Sequence, residues 1–195
     1  MRLLGAVLLV IALTTGAAPA AADPHWEFYT HDDTRYGSPW FRGGHKIMIP
    51  FGCTRAPYYS PDPRCRNDRG FHHGIDVAMK CGTPLRAGRW GWVVSSEGLG
   101  PAYGSKVLRI RNFTHDWDVV IGHARRVLVE PGDRVCAGQR IARAGADAAP
   151  DGCHLHFEKR AVRGGLSTAV HPRKLLALRL SVSARTLLQV RCLSR

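Results

Sequence analysis

The feature that most limits the fold of this chain is the shortness of its apolar runs. From Lys46 onward, the stretches Lys46–Ile49, Ile75–Met79, Trp90–Ser95, Lys106–Arg111, Val119–His123, Arg140–Ala144 and His154–Arg160 are β-prone, and Gly, Pro and Asp cut each one short of helical length. Val107-Leu108-Arg109-Ile110-Arg111 partly alternates, as a strand with one solvated face does. Val129 to Val135 and Ala137 to Ile141 read as short strands with tight turns at Gly132 and Gly138. The pattern predicts an all-β fold.

The two ends read differently. Arg2 precedes an apolar run from Leu3 to Leu13 and a small-residue stretch ending Ala20-Ala21-Ala22, the order of a secretory signal peptide (residues 1–22) cleaved before Asp23. Crossing a bilayer takes about 20 apolar residues, so no membrane span is expected after cleavage. The first cysteine is Cys53, far behind the cleavage point, which argues against a lipid anchor. Residues 23–45, aromatic and rich in turn formers, read as an irregular lead-in, residues 46–173 as one domain, and residues 174–195 as an extension. In that extension Leu178, Leu180, Val182 and Ala184 alternate like a strand, while Lys174–Leu180 could equally begin a helix.

Six cysteines (Cys53, Cys65, Cys81, Cys136, Cys153, Cys192) in an exported chain favour disulfides, at least two of them, with the pairing open. No paired C-x-x-C supports a cysteine zinc finger. The formal charge is +13, from 28 Lys and Arg against 15 Asp and Glu. For an exported protein that excess suggests anionic cell-wall polymers before nucleic acid, with a merely solvated surface as the bland alternative.

Three separated groups carry chemistry: His72 with Asp76 in FHHGID, His123 in VVIGHA, and His154 with His156 in CHLHFE. Residues two apart on a strand project from one face, so both imidazoles of the last group enter one cleft while Leu155 and Phe157 point into the core. Gly74 gives the backbone freedom to bring Asp76 round to the same metal. A hydrolytic zinc site needs three His or carboxylate ligands and one open position, and this donor set suits zinc better than calcium or magnesium. His73 is expected to be structural or solvated, and His25, His31, His45, His115 and His171 surface or capping residues. Asn112-Phe113-Thr114 matches a glycosylation acceptor pattern of little weight.

The ordered motifs resemble the lysostaphin-type or LytM-type zinc metallopeptidases, peptidoglycan hydrolases with His-x-x-x-Asp early and His-x-His late. The resemblance runs from about Ile47 to Pro172, through Pro50-Phe51-Gly52, Gly82-Thr83-Pro84 and Val127 to Gly145. It implies antiparallel sheets in a barrel-sandwich-hybrid-like (duplicated hybrid motif) arrangement. It also implies Zn2+ held by His72, Asp76 and His156, with His123 and His154 as unligated catalytic histidines. The expected activity is hydrolysis of peptide bonds in peptidoglycan stems or cross-links by a secreted monomer that uses neither nucleic acid nor membrane. Two departures stand out: Ile121-Gly122 replaces Tyr-Ala before His123, leaving a gap where an aromatic often lines the groove, and Cys153 replaces Pro, where a disulfide could tie down the ligand strand. A non-catalytic peptidoglycan-binding or hydrolase-activating protein on the same fold is the alternative, and a basic polyanion-binding module a third reading.

Overall fold

The computed structural model describes residues 26–181. The expected signal peptide, His25, Val182, Ala184 and Cys192 lie outside the described residues. Each of the seven β-prone runs contains a strand. One antiparallel sheet has the order β12 (Arg134–Val135), β8 (Gly91–Val94), β9 (Leu108–Asn112), β10 (Trp117–Gly122), β14 (His154–Arg160), β6 (Ile75–Ala78), β3 (Ile47–Ile49). A second runs β11 (Arg126–Val127), β13 (Arg140–Arg143), β7 (Pro84–Arg86), β2 (Phe41–His45), β1 (Tyr36–Ser38), β15 (Arg179–Leu180). β4 (Gly52–Thr54) and β5 (Gly70–His72) form a small hairpin.

Each sheet turns an apolar face inward. Val77, Ile110, Val119, Leu155 and Phe157 from the first sheet meet Phe41, Leu85 and Ala142 from the second in one core. Strand β14 is the longest, and its Leu155 and Phe157 are fully buried, with the Trp40 ring edge-on to Phe157 at 4.8 Å. Burying a side chain of that size stabilises by roughly 1.5–3 kcal/mol, so the strand that carries the His-x-His pair is fixed by its opposite face.

The expected irregular lead-in is partly regular. Tyr36–Ser38 and Phe41–His45 are strands of the second sheet, with Tyr36, Trp40 and Phe41 buried. They are only 3 and 5 residues long and carry Gly37, Gly43 and Gly44, so no periodicity marks them. Both expectations for residues 174–180 hold in part: a one-turn helix, α1 (Arg173–Leu176), is followed by β15 against β1. The solvated face expected of Val107–Arg111 is instead an ion-pair cluster. Arg109 Nε donates to Asp118 Oδ2 at 2.7 Å and Arg111 Nε to Oδ1 at 2.8 Å, Asp118 being wholly buried. Asn112 is buried and donates to the Trp90 carbonyl, a structural role and not a glycan site.

Two disulfides join described cysteines, Cys53–Cys65 and Cys81–Cys153, and Cys136 is disulfide-bonded as well. The second spans 72 residues and ties the segment after β6 to the residue before β14. Closing a loop of that size constrains the unfolded chain by roughly 4 kcal/mol on the loop-entropy estimate. Replacing both Cys81 and Cys153 with Ser is expected to lower unfolding stability by about 2–4 kcal/mol, read from denaturant midpoints against the oxidised parent.

Candidate metal centre

β14 sits between β10 and β6, and the pairing puts Gly122 and Asp76 on either side of His156. His72 closes β5, at the end of a strand and not within a loop, and the turn through His73 and Gly74 leads straight into β6. The reason for glycine at 74 differs from the one expected. It is close approach and not a special dihedral: a Cβ there would lie 2.8 Å from His156 Cε1 and 2.9 Å from the Phe157 carbonyl oxygen.

His72, Asp76 and His156, all buried, form a group whose ligand atoms lie within 4.8 Å of one another and could hold a metal ion. His156 Nδ1 is 2.8 Å from Asp76 Oδ1 and 3.3 Å from His72 Nε2, and the last two atoms are 3.4 Å apart. The outer nitrogens are occupied. His72 Nδ1 donates to the Pro50 carbonyl at 3.1 Å, and His156 Nε2 to Glu158 Oε1 at 2.9 Å. Each imidazole thus has an acceptor on its far side and offers its near nitrogen to the centre, the arrangement by which outer partners orient metal-binding histidines.

His154 and His123 stand beside this group, with ring centroids 4.7 Å apart. His154 Nδ1 donates to the Gly152 carbonyl at 2.9 Å, while its Nε2, 3.6 Å from Asp76 Oδ1, is buried without a hydrogen bond. His123 follows β10 at φ +58°, a left-handed conformation that costs a non-glycine residue on the order of 1–3 kcal/mol. Two hydrogen bonds hold it there: its backbone N–H to the Tyr103 carbonyl at 2.8 Å and its Nδ1 to the Asp147 carbonyl at 2.7 Å.

The charges are strongly coupled. Burial opposes ionisation of Asp76, but the imidazoles of His72, His154 and His156 hold its carboxyl well below the usual range. Burial likewise opposes a charged His156, yet Asp76 and Glu158 raise it to about 10. Burial, then His154 and His156, push His123 down to about 4. The cluster therefore draws a cation between Asp76 and the imidazoles while His123 stays neutral. Two nitrogens and one carboxylate oxygen fit a zinc-like ion, and the orphaned His154 Nε2 faces the same space without belonging to the group.

These residues floor a groove of about 470 Å³, walled by Tyr58, Tyr59, Tyr103 and Ala148 to Asp151. Among the described residues, none from 26 to 45 lines it. Tyr103 supplies the aromatic whose absence the Ile121-Gly122 dipeptide suggested, its ring passing 3.4 Å from a Cβ built at Gly122. His73 is half-buried, its Nε2 accepting from Arg64 at 3.0 Å. His45 is also half-buried, bonded to the Ala78 and Arg42 carbonyls, and His171 packs on Phe51. The Cys153 bridge does tie down the strand of His154 and His156.

Comparison with known proteins agrees with this geometry. The profile of "Peptidase family M23" matches residues 70–171, just over half of the chain. The chain belongs to peptidase family M23. The glycyl-glycine endopeptidase ALE-1 of Staphylococcus capitis is 32% identical over 120 residues, covering 60% of this chain and 32% of its own length. The lipoprotein NlpD/LppB homolog of Pseudomonas aeruginosa is 36% identical over 97 residues, 50% of this chain and 32% of its own. The chain thus matches about a third of the length of these M23 relatives. Among solved structures, the catalytic domain of lysostaphin from Staphylococcus simulans superposes with a TM-score of 0.56 at 27% identity, covering 68% of this chain and 92% of that one. This all-β M23 domain is therefore of the lysostaphin type.

The residues that support the three candidate ligands carry weaker signals in the sequence. Glu158 Oε1 accepts from His156, Oε2 accepts from Arg160 Nε at 2.6 Å, and the Tyr103 hydroxyl donates to Oε1 at 2.8 Å while accepting from Arg160 Nη2. Continuing the two-residue period past His156 reaches Glu158 and Arg160. Tyr103, delivered by a 3-10 turn at Pro101–Tyr103, has no such signal. Removing an outer partner of this kind costs about 10–100-fold in metal affinity. Glu158→Gln is expected to show a loss of that size by competitive zinc titration while remaining folded. Gly74→Ala is expected to lose zinc more completely, because the added methyl displaces His156.

Proposed function

We propose that this chain is a zinc metalloendopeptidase that hydrolyses peptide bonds in bacterial cell-wall peptidoglycan outside the cytoplasm. One observation carries the reading: in an M23 chain, His72 Nε2, Asp76 Oδ1 and His156 Nδ1 converge beside two further histidines in one groove. His72, Asp76 and His156 are assigned as the ligands, with the fourth position open for water and substrate. A zinc ion held by these three residues would supply a Lewis acid for the scissile carbonyl and lower the pKa of its water toward 7.

The remaining work falls to His123 and His154. Each has its Nδ1–H committed to a carbonyl, which leaves Nε2 as the proton-accepting nitrogen. Burial keeps His123 neutral, so its Nε2 lone pair is free to take a proton even though burial weakens it as a base, and the protonated ring then returns the proton to the leaving amine or donates a hydrogen bond to the oxyanion. The tyrosine-walled groove would hold the peptide, as ALE-1, a glycyl-glycine endopeptidase, suggests for the class of bond. The disulfides accord with an exported protein. Its mature form is expected to begin at or near Asp23, which amino-terminal sequencing of the exported product checks.

The decisive assay incubates the zinc-loaded protein with purified peptidoglycan and identifies new termini by mass spectrometry. New amino termini are expected; new reducing sugars, or sedimentation with the wall and no new termini, would reject the endopeptidase. Asp76→Ala and His156→Ala are expected to lose both zinc and activity. His154→Ala and His123→Ala should keep about one zinc per chain while turnover falls by roughly 100-fold or more. Loss of zinc from His154→Ala with retention in His156→Ala would reverse the two assignments.

A further inference from the structure

The second sheet has an outer face that the groove does not use. Phe41, Leu85 and Ala142 point into the core, which places Arg42, Arg86 and Arg143, each one residue away, on the other side; a register shift between Arg140 and Ala142 sets Arg140 opposite Arg86 and so on that side too. Arg126 on β11 pairs directly with Arg143 on β13, and Arg140 on β13 directly with Arg86 on β7. Like charges opposite one another across strands are destabilising, yet two such pairs stand on three adjacent strands here, with Arg42 on the neighbouring β2. Among the described residues none of these guanidiniums is ion-paired with a carboxylate, although Arg109, Arg111 and Arg160 elsewhere all are.

Arg86 stands at the middle of the face. Its Nη1 donates to the Gly138 carbonyl at 2.6 Å, but its Nε is buried with no partner. Burial, then the charges of Arg42 and Arg140, lower its pKa, so the field it feels is that of other arginines. Such a cluster lacks its counter-charge. Strands lie about 4.8 Å apart and outward residues about 7 Å apart along each strand, so the arginines recur at the short intervals of phosphates on a polymer chain. Among the described residues, none of these guanidiniums lies over an aromatic ring that could stack a base, which disfavours nucleic acid.

We propose that the arginine face of β2, β7, β13 and β11 docks a phosphodiester-linked polyol polymer of the bacterial cell wall. The groove lies on the outer face of the other sheet, where His154, His156 and Glu158 project away from the shared core. A polymer held at the back leaves the groove open, so one molecule can be anchored and face its peptide substrate at once. The choice of a wall polymer rests on the wall-directed reading above. Binding is measured without turnover, so a protein that cuts wall but ignores the polymer, or the reverse, separates the two.

The test titrates full-length protein with soluble poly(glycerol phosphate) over a series of salt concentrations, following fluorescence anisotropy of labelled polymer. The triple variant Arg42→Gln/Arg86→Gln/Arg140→Gln is expected to bind at least about tenfold more weakly, and its log–log salt slope should shrink by about 2, near 0.7 for each lost phosphate contact. The comparison variant Arg55→Gln/Arg66→Gln/Arg163→Gln removes the same charge from exposed positions elsewhere and should bind like the parent. If the triple variant fails to fold, Arg42→Gln/Arg140→Gln, both exposed, serves instead, with a proportionate loss. Equal weakening by both sets would reduce the effect to net charge and overturn the proposal. So would failure of the parent to bind at low salt. Tighter binding of duplex DNA, lost in the arginine triple alone, would assign the face to nucleic acid.

Discussion

The imidazole of His156 meets a carboxylate at each nitrogen, Asp76 at Nδ1 and Glu158 at Nε2, and all three groups are buried. Burying ions costs several kcal/mol each unless partners compensate. Compensation here draws in the surroundings: Arg160 and Tyr103 close on Glu158, and Tyr103 also holds the backbone of His123. One ring therefore ties together β6, β10, β14 and the 3-10 turn before β9. A substitution at any outer member of this chain is felt at the ligand atoms, although only the inner members face the metal position.

What could be read from the sequence was what repeats with a strand's period. His154 and His156 share a face while Leu155 and Phe157 share the other, and the fold keeps that division. Alternation could not show what lies across a turn. Arg109 and Arg111 looked like a solvated face because their counter-charge, Asp118, belongs to the next strand of the hairpin. β1 and β2 escaped notice because their glycines erase any pattern, and what places them is pairing to β7 and β15 from far along the chain. Gly74 was rightly singled out for the wrong reason: the sequence shows a residue without a side chain, but not the His156 ring that needs the space.

The distribution of charge is as informative as its sum. Asp76, Asp151 and Glu158 are buried in the groove wall and floor, whereas the unpaired arginines lie across the sandwich on its other outer face. Arginines without counter-charge gathered on one face would draw that face toward an anionic matrix before any specific contact forms.

The Cys81–Cys153 bridge anchors the start of β14 to the segment after β6. Cys153 adjoins His154, where the backbone is tied by Met79 N–H and Trp26 Nε1 to the Cys153 carbonyl at 3.1 and 2.7 Å, by the Gly145 to His154 bridge and by the pairing of His154 with Ala78 on β6. With the bridge reduced, the start of β14 would rest on those bonds and on core packing alone, so the placing of the histidine cluster is coupled to the redox state around the chain.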